Sequence, residues 1–138
     1  MKEKDIPSQN GSERIVATIP FNSKRKKATT AIVLPENENV VRVFVKGAPE
    51  IVLDLCNTYL GSNGSAEELS SYKKDDIMKS VIKEQFAVRA FRTLLIAYKD
   101  LSIQEFNDIK RNHNNFKEEK DREVLEQLGL TVIGIYGL

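Results

Sequence analysis

An aromatic side chain followed by a run of cations is the first feature of the sequence that could bind a ligand. Phe21 precedes four consecutive basic residues at positions 24–27. An exposed aromatic ring can stack on a nucleobase with about 1–3 kcal/mol, and cations beside it can offset the charge of a phosphate. Such a run is more commonly a solvated loop, so by itself it indicates a binding function only weakly.

A lysine and a glycine form the second feature, at the junction of a predicted strand and a predicted helix. Lys46 and Gly47 precede Ala48, Pro49 and Glu50. Proline and an acidic residue are favoured in the first turn of a helix. A glycine before them allows a tight turn or the close approach of a ligand, and the lysine could line an anionic pocket. A purely structural turn is the commoner interpretation of the same pattern.

An arginine beside an apolar strand is the third feature. Arg92 is followed by Thr93 and by an apolar run that begins at Leu94. The planar guanidinium of arginine pairs well with phosphate or carboxylate groups. An ion pair at the end of a strand explains this position equally well.

Residues for chemical catalysis are not indicated. The sequence contains no Walker A loop, nucleophile elbow, Cys-x-x-Cys or His-Glu-x-x-His pattern. The one histidine, His113, lies in a polar stretch and is expected to be a solvated loop residue, and the one cysteine, Cys56, cannot form an internal disulfide. We therefore expect neither catalytic nor metal-ligating residues in this chain.

The elements that must position these residues alternate between strands and helices. Apolar and β-branched runs predict strands at 15–19, 28–34, 40–45, 93–98 and 130–136. Helical spacing and capping residues predict helices from Pro49 to Cys56, from about Lys74 to Phe91, from the N-cap Ser102 (paired with Glu105) to about Lys110, and from Lys117 to Leu128. The first three strands are joined by links too short for a crossover helix, so they form an antiparallel meander. The predicted fold is α+β, a mainly antiparallel sheet flanked by helices.

Length and charge restrict the class of protein. The chain has 138 residues, of which 21 are basic and 20 acidic, and 41% are hydrophobic. One domain with one core is the natural interpretation, and the near-neutral charge argues against a strongly basic nucleic-acid-binding protein. No apolar run approaches the roughly 20 residues that a membrane span requires, so we expect a soluble chain. We expect a flexible segment at 1–13 and a domain at 14–138, which stops directly after an apolar strand as an excised fragment would.

In this order and spacing, the three features resemble the nucleotide-binding domain of a P-type cation-transporting ATPase. The segment 46–50 (Lys-Gly-Ala-Pro-Glu) matches the hallmark motif of that family. The segment 21–26 (Phe-Asn-Ser-Lys-Arg-Lys) resembles its adenine-pocket segment, and 91–94 (Phe-Arg-Thr-Leu) resembles its later arginine element. The resemblance runs from about Arg14 to Leu138 and is strongest to calcium pumps of the plasma-membrane kind.

The resemblance implies an ATP site with defined residue roles. Phe21 would stack on adenine, Lys26 and Lys46 would line the pocket beside Gly47, Arg92 would reach toward the phosphates, and Leu94 would form part of the apolar wall. Ser23 stands where some calcium pumps have an arginine, and Ala90 where many members have glycine. The acidic residue that faces adenine in the family has no counterpart that we find in this chain.

The resemblance also implies a parent protein. ATP, as Mg-ATP in the intact pump, would be positioned for phosphorylation of an aspartate on a separate domain, and the Asp-Lys-Thr-Gly-Thr motif of that aspartate does not occur here. The parent would be an ion-translocating ATPase and an integral membrane protein, with this domain cytoplasmic and facing the phosphorylation and actuator domains. The fragment itself is expected to be monomeric, not inserted in a membrane, and to bind ATP without hydrolysing it.

Two other functions stay open from the sequence. The basic loop 24–27 could dock an acidic partner in a non-catalytic protein-interaction module. Alternatively, Phe21 and the basic run could bind RNA or single-stranded nucleic acid, with an affinity that collapses as salt is raised. The near-neutral net charge makes nucleic acid the weakest of the three hypotheses.

Overall fold

One seven-stranded sheet organises the chain. The computed structural model describes residues 14–88, without the side chains of 84–88, and residues 93–137. The strands are β1 (Ile15–Ile19), β2 (Lys27–Leu34), β3 (Asn37–Gly47), β4 (Cys56–Leu60), β5 (Ala66–Glu68), β6 (Thr93–Ser102) and β7 (Leu130–Gly137). Their order in the sheet is β1-β2-β3-β6-β7-β4-β5. All neighbours pair antiparallel except β4 and β7, which are parallel, and this confirms the predicted α+β class.

Helices and 3-10 turns connect the strands. The helices are α1 (Pro49–Leu53), α2 (Ser71–Val88), α3 (Ile103–Asn112) and α4 (Glu119–Arg122), and 3-10 turns occupy Asn114–Phe116 and Glu123–Gln127. Within the two described ranges, no helix combines the length and the apolar character of a membrane span. The predicted flexible segment 1–13 lies outside the described residues, as do Ala90, Phe91 and Arg92.

The predicted meander of β1, β2 and β3 is confirmed. In its centre, Thr29 pairs with Val45 and Ala31 with Val43, and β3 continues the pairing to β6 through Val45 and Ala97. Because side chains alternate between the two faces of a strand, these positions all point to one face. That face carries the core, which also contains Val52 of α1 and Phe106 of α3.

The opposite face of the sheet is more open to solvent. On β3, Arg42 lies over the ring of Tyr98 at 5.0 Å from the ring centroid, and its guanidinium donates to Asp100 at 2.7 and 2.9 Å. Lys46 is exposed on the same strand. One face of the sheet therefore builds the core, and the other face carries charged side chains such as Arg42 and Lys46.

One predicted helix end in the middle of the chain is wrong. Helix α1 ends at Leu53, and Cys56, which we expected to be helical, begins β4 and pairs with Leu130 of β7. A five-residue helix gains little from its own hydrogen bonds, whereas the strand gains a ladder with β7. The segment 61–65 is a turn between β4 and β5, closed by a hydrogen bond from the amide of Gly61 to the carbonyl of Ser65 (2.8 Å).

The elements after β6 agree with the sequence-based predictions in part. The capping box that we predicted for α3 is confirmed, with Glu105 N–H donating to the Ser102 hydroxyl (3.0 Å) and Ser102 N–H donating to the Glu105 carboxylate (2.9 Å). His113, expected in a solvated loop, is half-buried at the end of α3, with Nδ1 at 2.8 Å from the Ile109 carbonyl. The single helix expected from Lys117 to Leu128 is wrong. It divides into α4 and a 3-10 turn, which buries Glu126.

Candidate functional site

The loop between β1 and β2 is folded by one asparagine. The side-chain oxygen of Asn22 accepts hydrogen bonds from the amides of Lys24 (2.9 Å) and Arg25 (2.7 Å). The carbonyl of Asn22 accepts from the amide of Lys26 at 2.8 Å. An asparagine oxygen that replaces a backbone acceptor in this way closes a tight turn. The turn brings the start of the loop, at Phe21, close to its end, at Lys26.

Gly47 allows this loop to lie directly against β3. The carbonyl of Lys26 accepts a hydrogen bond from the amide of Ala48 at 2.9 Å. A Cβ atom on Gly47 would lie 2.3 Å from that carbonyl oxygen and 2.6 Å from the Cα of Lys27. The glycine is therefore required by a close approach between two backbone segments.

A cavity of about 360 Å³ opens where the loop, the end of β3 and the start of β6 meet. Its lining residues are Phe21, Ser23, Lys26, Ala48, Thr93 and Leu94. Phe21 is 54% exposed, so its ring can be covered by a ligand without disrupting the core. The volume lies within the usual range for small-molecule sites, near its lower end.

The residues predicted from the sequence are distributed around this cavity in different ways. Phe21, Lys26 and Leu94 line it directly. Lys46 does not line it. Lys46 pairs with Ile96 of β6, two residues along that strand from Leu94, and so lies on the same face of the sheet as Leu94. Gly47 does not line the cavity either, and its contribution is to let the backbone of Lys26 and Lys27 lie against β3.

Arg92 lies outside the described residues, next to the lining residue Thr93. Ser23, Ala48 and Thr93 complete the lining but were not predicted as site residues. Ala48 belongs to the 46–50 motif, which is the signal that could have indicated it.

Two other clefts have linings that suit a nucleotide less well. A cleft of about 280 Å³ near β1 contains Arg122, whose guanidinium donates to the carbonyls of Phe116 (2.9 Å) and Thr18 (3.0 Å). A cleft of about 310 Å³ between α1 and α2 includes the carboxylates of Glu50, Asp54 and Asp75, which would repel an anion. Among these three clefts, all formed by described residues, the cavity at Phe21 alone combines an exposed aromatic ring and a lysine in a lining without a carboxylate.

A buried carboxylate below the loop was not anticipated from the sequence. Glu126, 1% exposed, accepts hydrogen bonds from the Arg25 guanidinium at 2.8 and 3.1 Å and from the hydroxyl of Thr29. The ammonium of Lys27 lies 3.6 Å from the same carboxylate. Hydrogen bonding to Glu126 raises the pKa of Arg25 above its ordinary value, against the opposing effect of burial. Two of the four cations at 24–27 are therefore bound within the domain.

The cavity is built for binding. The described residues that line it include one lysine and no carboxylate, histidine or cysteine. An aromatic ring, an apolar wall and a cation can hold a planar, phosphate-bearing molecule.

Comparison with known proteins agrees with the resemblance of the motifs. Residues 2–138 match the family model described as P-type ATPase, cytoplasmic domain N. The chain is 32% identical over 135 residues to plasma membrane calcium-transporting ATPase 1 of Homo sapiens, which covers 98% of this chain and 10% of that protein. It is 41% identical over 97 residues to calcium-transporting ATPase 4, plasma membrane-type, of Arabidopsis thaliana, which covers 70% of this chain and 9% of that protein.

The chain thus spans about a tenth of the length of these relatives. The family match covers nearly the whole chain, including the 46–50 motif and the loop that carries Phe21. The expectation drawn from those motifs is confirmed: the chain belongs to the family of P-type ATPase cytoplasmic N domains.

Proposed function

We propose that this domain binds ATP in the cavity beside Phe21 and positions it for phosphoryl transfer to an aspartate in another domain of a longer protein. One observation carries the proposal. The loop after β1 supplies a half-exposed ring and a lysine, and two other segments, at Ala48 and at Leu94, supply an apolar wall to the same cavity. Each group suits one part of the nucleotide. The ring of Phe21 stacks on the base, Leu94 and Ala48 contact its edge, and Lys26 faces the phosphates.

Two further cations of the predicted site extend the phosphate contacts in this proposal. Lys46 is exposed beside the cavity on the same sheet face, and Arg92 directly precedes the lining residue Thr93. With a single stacked ring and a few solvated cations, we expect a dissociation constant of about 0.1 mM to several mM. Weak binding suits a domain whose contribution is to deliver and orient the nucleotide, which is a large part of catalysis in phosphoryl transfer.

The activity of the parent protein belongs to the same proposal. The relatives are named as calcium-transporting ATPases of the plasma membrane. We extend this to a calcium-transporting parent embedded in a membrane, with this domain on its cytoplasmic side. The lining described here contains no carboxylate to bind Mg²⁺, so the metal of Mg-ATP would be held mainly by the phosphorylation domain. The phosphorylation and actuator domains are the partners implied, and the isolated domain is monomeric.

The competing interaction hypothesis loses support from the buried ion pairs. It required the cations of loop 24–27 to face a partner. Arg25 and Lys27 instead bind Glu126, and only Lys24 and Lys26 of this run are exposed. Two exposed lysines form only a weak docking surface, and one of them, Lys26, lines the cavity.

Calorimetric titration with ATP tests the proposal, using Phe21→Ala and the matched control Tyr72→Ala. Tyr72 is an aromatic residue on α2 that is 81% exposed and does not line the cavity. Loss of a stack worth about 1–3 kcal/mol weakens binding by roughly 5- to 150-fold. Phe21→Ala should stay folded, and Tyr72→Ala should bind like the wild type.

Two outcomes would contradict the proposal. If Phe21→Ala binds ATP as the wild type does, the nucleotide site is elsewhere. If the variant is unfolded, Phe21 belongs to the core and its assignment to the cavity is wrong.

A further inference from the structure

One buried carboxylate connects the loop at the cavity to the far end of the chain. Glu126 lies in the 3-10 turn that precedes β7, and its hydrogen bonds to Arg25 join residues separated by 101 positions. The guanidinium and the carboxylate meet through two parallel bonds of 2.8 and 3.1 Å. This paired geometry fixes orientation as well as distance.

The carboxylate is fully used within the domain. Besides Arg25, it accepts from the hydroxyl of Thr29, and Lys27 lies 3.6 Å away. At 1% exposure it has little water to replace a lost partner. A buried charge is stable only while its hydrogen-bond donors are in place, and any arrangement that leaves it unpaired costs free energy. Glu126 therefore favours a single position of the loop more than it adds to overall stability.

The bonds of Glu126 fall on both sides of Lys26. Arg25 precedes Lys26 and Lys27 follows it, and both approach the same carboxylate. Lys26 between them adopts a φ of +58°, a conformation that residues other than glycine rarely hold. Its side chain lines the cavity while its neighbours bind below the loop. The strained residue is thus held from both flanks by one acidic group.

We infer that Glu126 is a positioning residue for the nucleotide site, acting through Arg25 and Lys27 to hold Lys26 and Phe21 at the cavity. The inference rests on the proposed function and adds a residue that does not itself line the cavity. Without the bonds to Glu126, the loop samples other positions. The apparent affinity then equals the intrinsic affinity multiplied by the fraction of time that the loop spends in the binding position. A loop in place for a tenth of the time binds ATP about tenfold more weakly.

The direction in which ATP affinity changes distinguishes a positioning role of Glu126 from a purely electrostatic one. Removing a negative group near a phosphate site raises the local positive potential, which by itself would tighten ATP binding. Loss of the anchor predicts the opposite, since a loosened loop weakens binding. Glu126→Gln keeps the shape of the side chain and removes its charge, so it distinguishes the two effects.

Asp100→Asn is the matched control. Asp100 also accepts two guanidinium bonds, from Arg42 at 2.7 and 2.9 Å, but it joins β3 to β6 away from the loop. Both variants lose one negative charge and one bidentate arginine pair. We expect ATP titration to show about tenfold weaker binding for Glu126→Gln and a change within about twofold for Asp100→Asn. Amide exchange in the absence of ATP should accelerate at 24–27 in Glu126→Gln alone.

Equal or tighter ATP binding by Glu126→Gln would overturn the inference. Should Glu126→Gln fail to fold, Arg25→Lys replaces it, because this change keeps a cation opposite Glu126 and loses the two-bond fork. Weaker binding and faster loop exchange in Arg25→Lys support the inference, and wild-type behaviour overturns it.

The outcome also separates the inference from the function on which it rests. A wild-type domain that binds no ATP overturns both the proposed function and the positioning role. A wild-type domain that binds ATP, with Glu126→Gln binding equally well, overturns the positioning role alone.

Discussion

A methyl group at Gly47 is expected to disrupt the contact between β3 and the loop that carries Lys26. The added Cβ would lie 2.3 Å from the Lys26 carbonyl oxygen, 2.6 Å from the Cα of Lys27 and 2.8 Å from its Cβ. The first two are backbone atoms, which cannot rotate away as the end of a long side chain can. Relief of the clash requires the loop to move and the 2.9 Å hydrogen bond from Ala48 N–H to that carbonyl to break.

The expected cost follows from these contacts. Overpacking costs about 1–3 kcal/mol, the lost hydrogen bond about 1 kcal/mol, and the stiffer unfolded chain returns about 0.5 kcal/mol. Gly47→Ala should therefore lower the free energy of unfolding by about 1.5–3.5 kcal/mol, measured by urea denaturation followed by circular dichroism.

Gly134→Ala provides the matched control. Gly134 is also a strand glycine, but its added Cβ would meet nothing closer than 3.4 Å, an ordinary contact. We expect a change within about 0.5 kcal/mol for this variant. A Gly47→Ala domain as stable as the wild type would refute the argument that backbone contact requires this glycine.

Three further results are expected. Lys26→Gly should relieve the strain of a φ of +58° and leave stability equal or up to about 1 kcal/mol higher, while ATP titration shows weaker binding because the cation is lost. Burial raises the pKa of Cys56 to about 12. Its alkylation at pH 8, followed by mass spectrometry, should therefore be much slower in the folded than in the urea-unfolded chain. Because the unfolded thiol loses its proton above pH 9.0 while the folded one keeps it, the free energy of unfolding should decline above that pH. Hydrogen bonds from Ser102 lower the pKa of Glu105 below its ordinary 4.5. The cap of α3 therefore contributes fully above pH 4.5 and is lost as the pH falls through the lowered pKa, which should reduce the protection of the first amides of α3 relative to their intrinsic exchange rates. Unchanged ATP binding by Lys26→Gly would contradict the first statement, and equally fast alkylation of the folded and unfolded chains the second. Amide protection that does not depend on pH at the start of α3 would contradict the third.

Local patterns predicted the meander and the α3 cap well. The β-branched run at 28–34 and the run at 40–45 each carry one buried face, and a short polar link joins them, so neighbouring residues already define the pairing. Ser102 and Glu105 form a cap within one turn of helix. Interactions between residues close in sequence leave a signal that a single sequence can show.

Interactions between distant residues left no such signal. Strand β4 is short, and its partner β7 begins at Leu130, so nothing in the residues near Cys56 indicates the parallel pairing. Arg25 looked like one of four solvated cations, although Glu126 binds it from across the fold. The lining of the cavity depends on the same long-range register. Residue types and the family resemblance indicated Phe21, Lys26 and Leu94, but only the fold brings their two segments together with Ala48.

The most direct test of the account is an ATP titration followed by two-dimensional backbone NMR of the wild-type domain. If one cavity binds the nucleotide, the amides of Phe21, Lys26, Ala48 and Leu94 shift together along a single saturable curve, and the clefts at Arg122 and at Asp75 stay unchanged. Absence of saturable shifts, or shifts centred on either of those clefts, would contradict the claim that the loop and the ends of β3 and β6 form the nucleotide site.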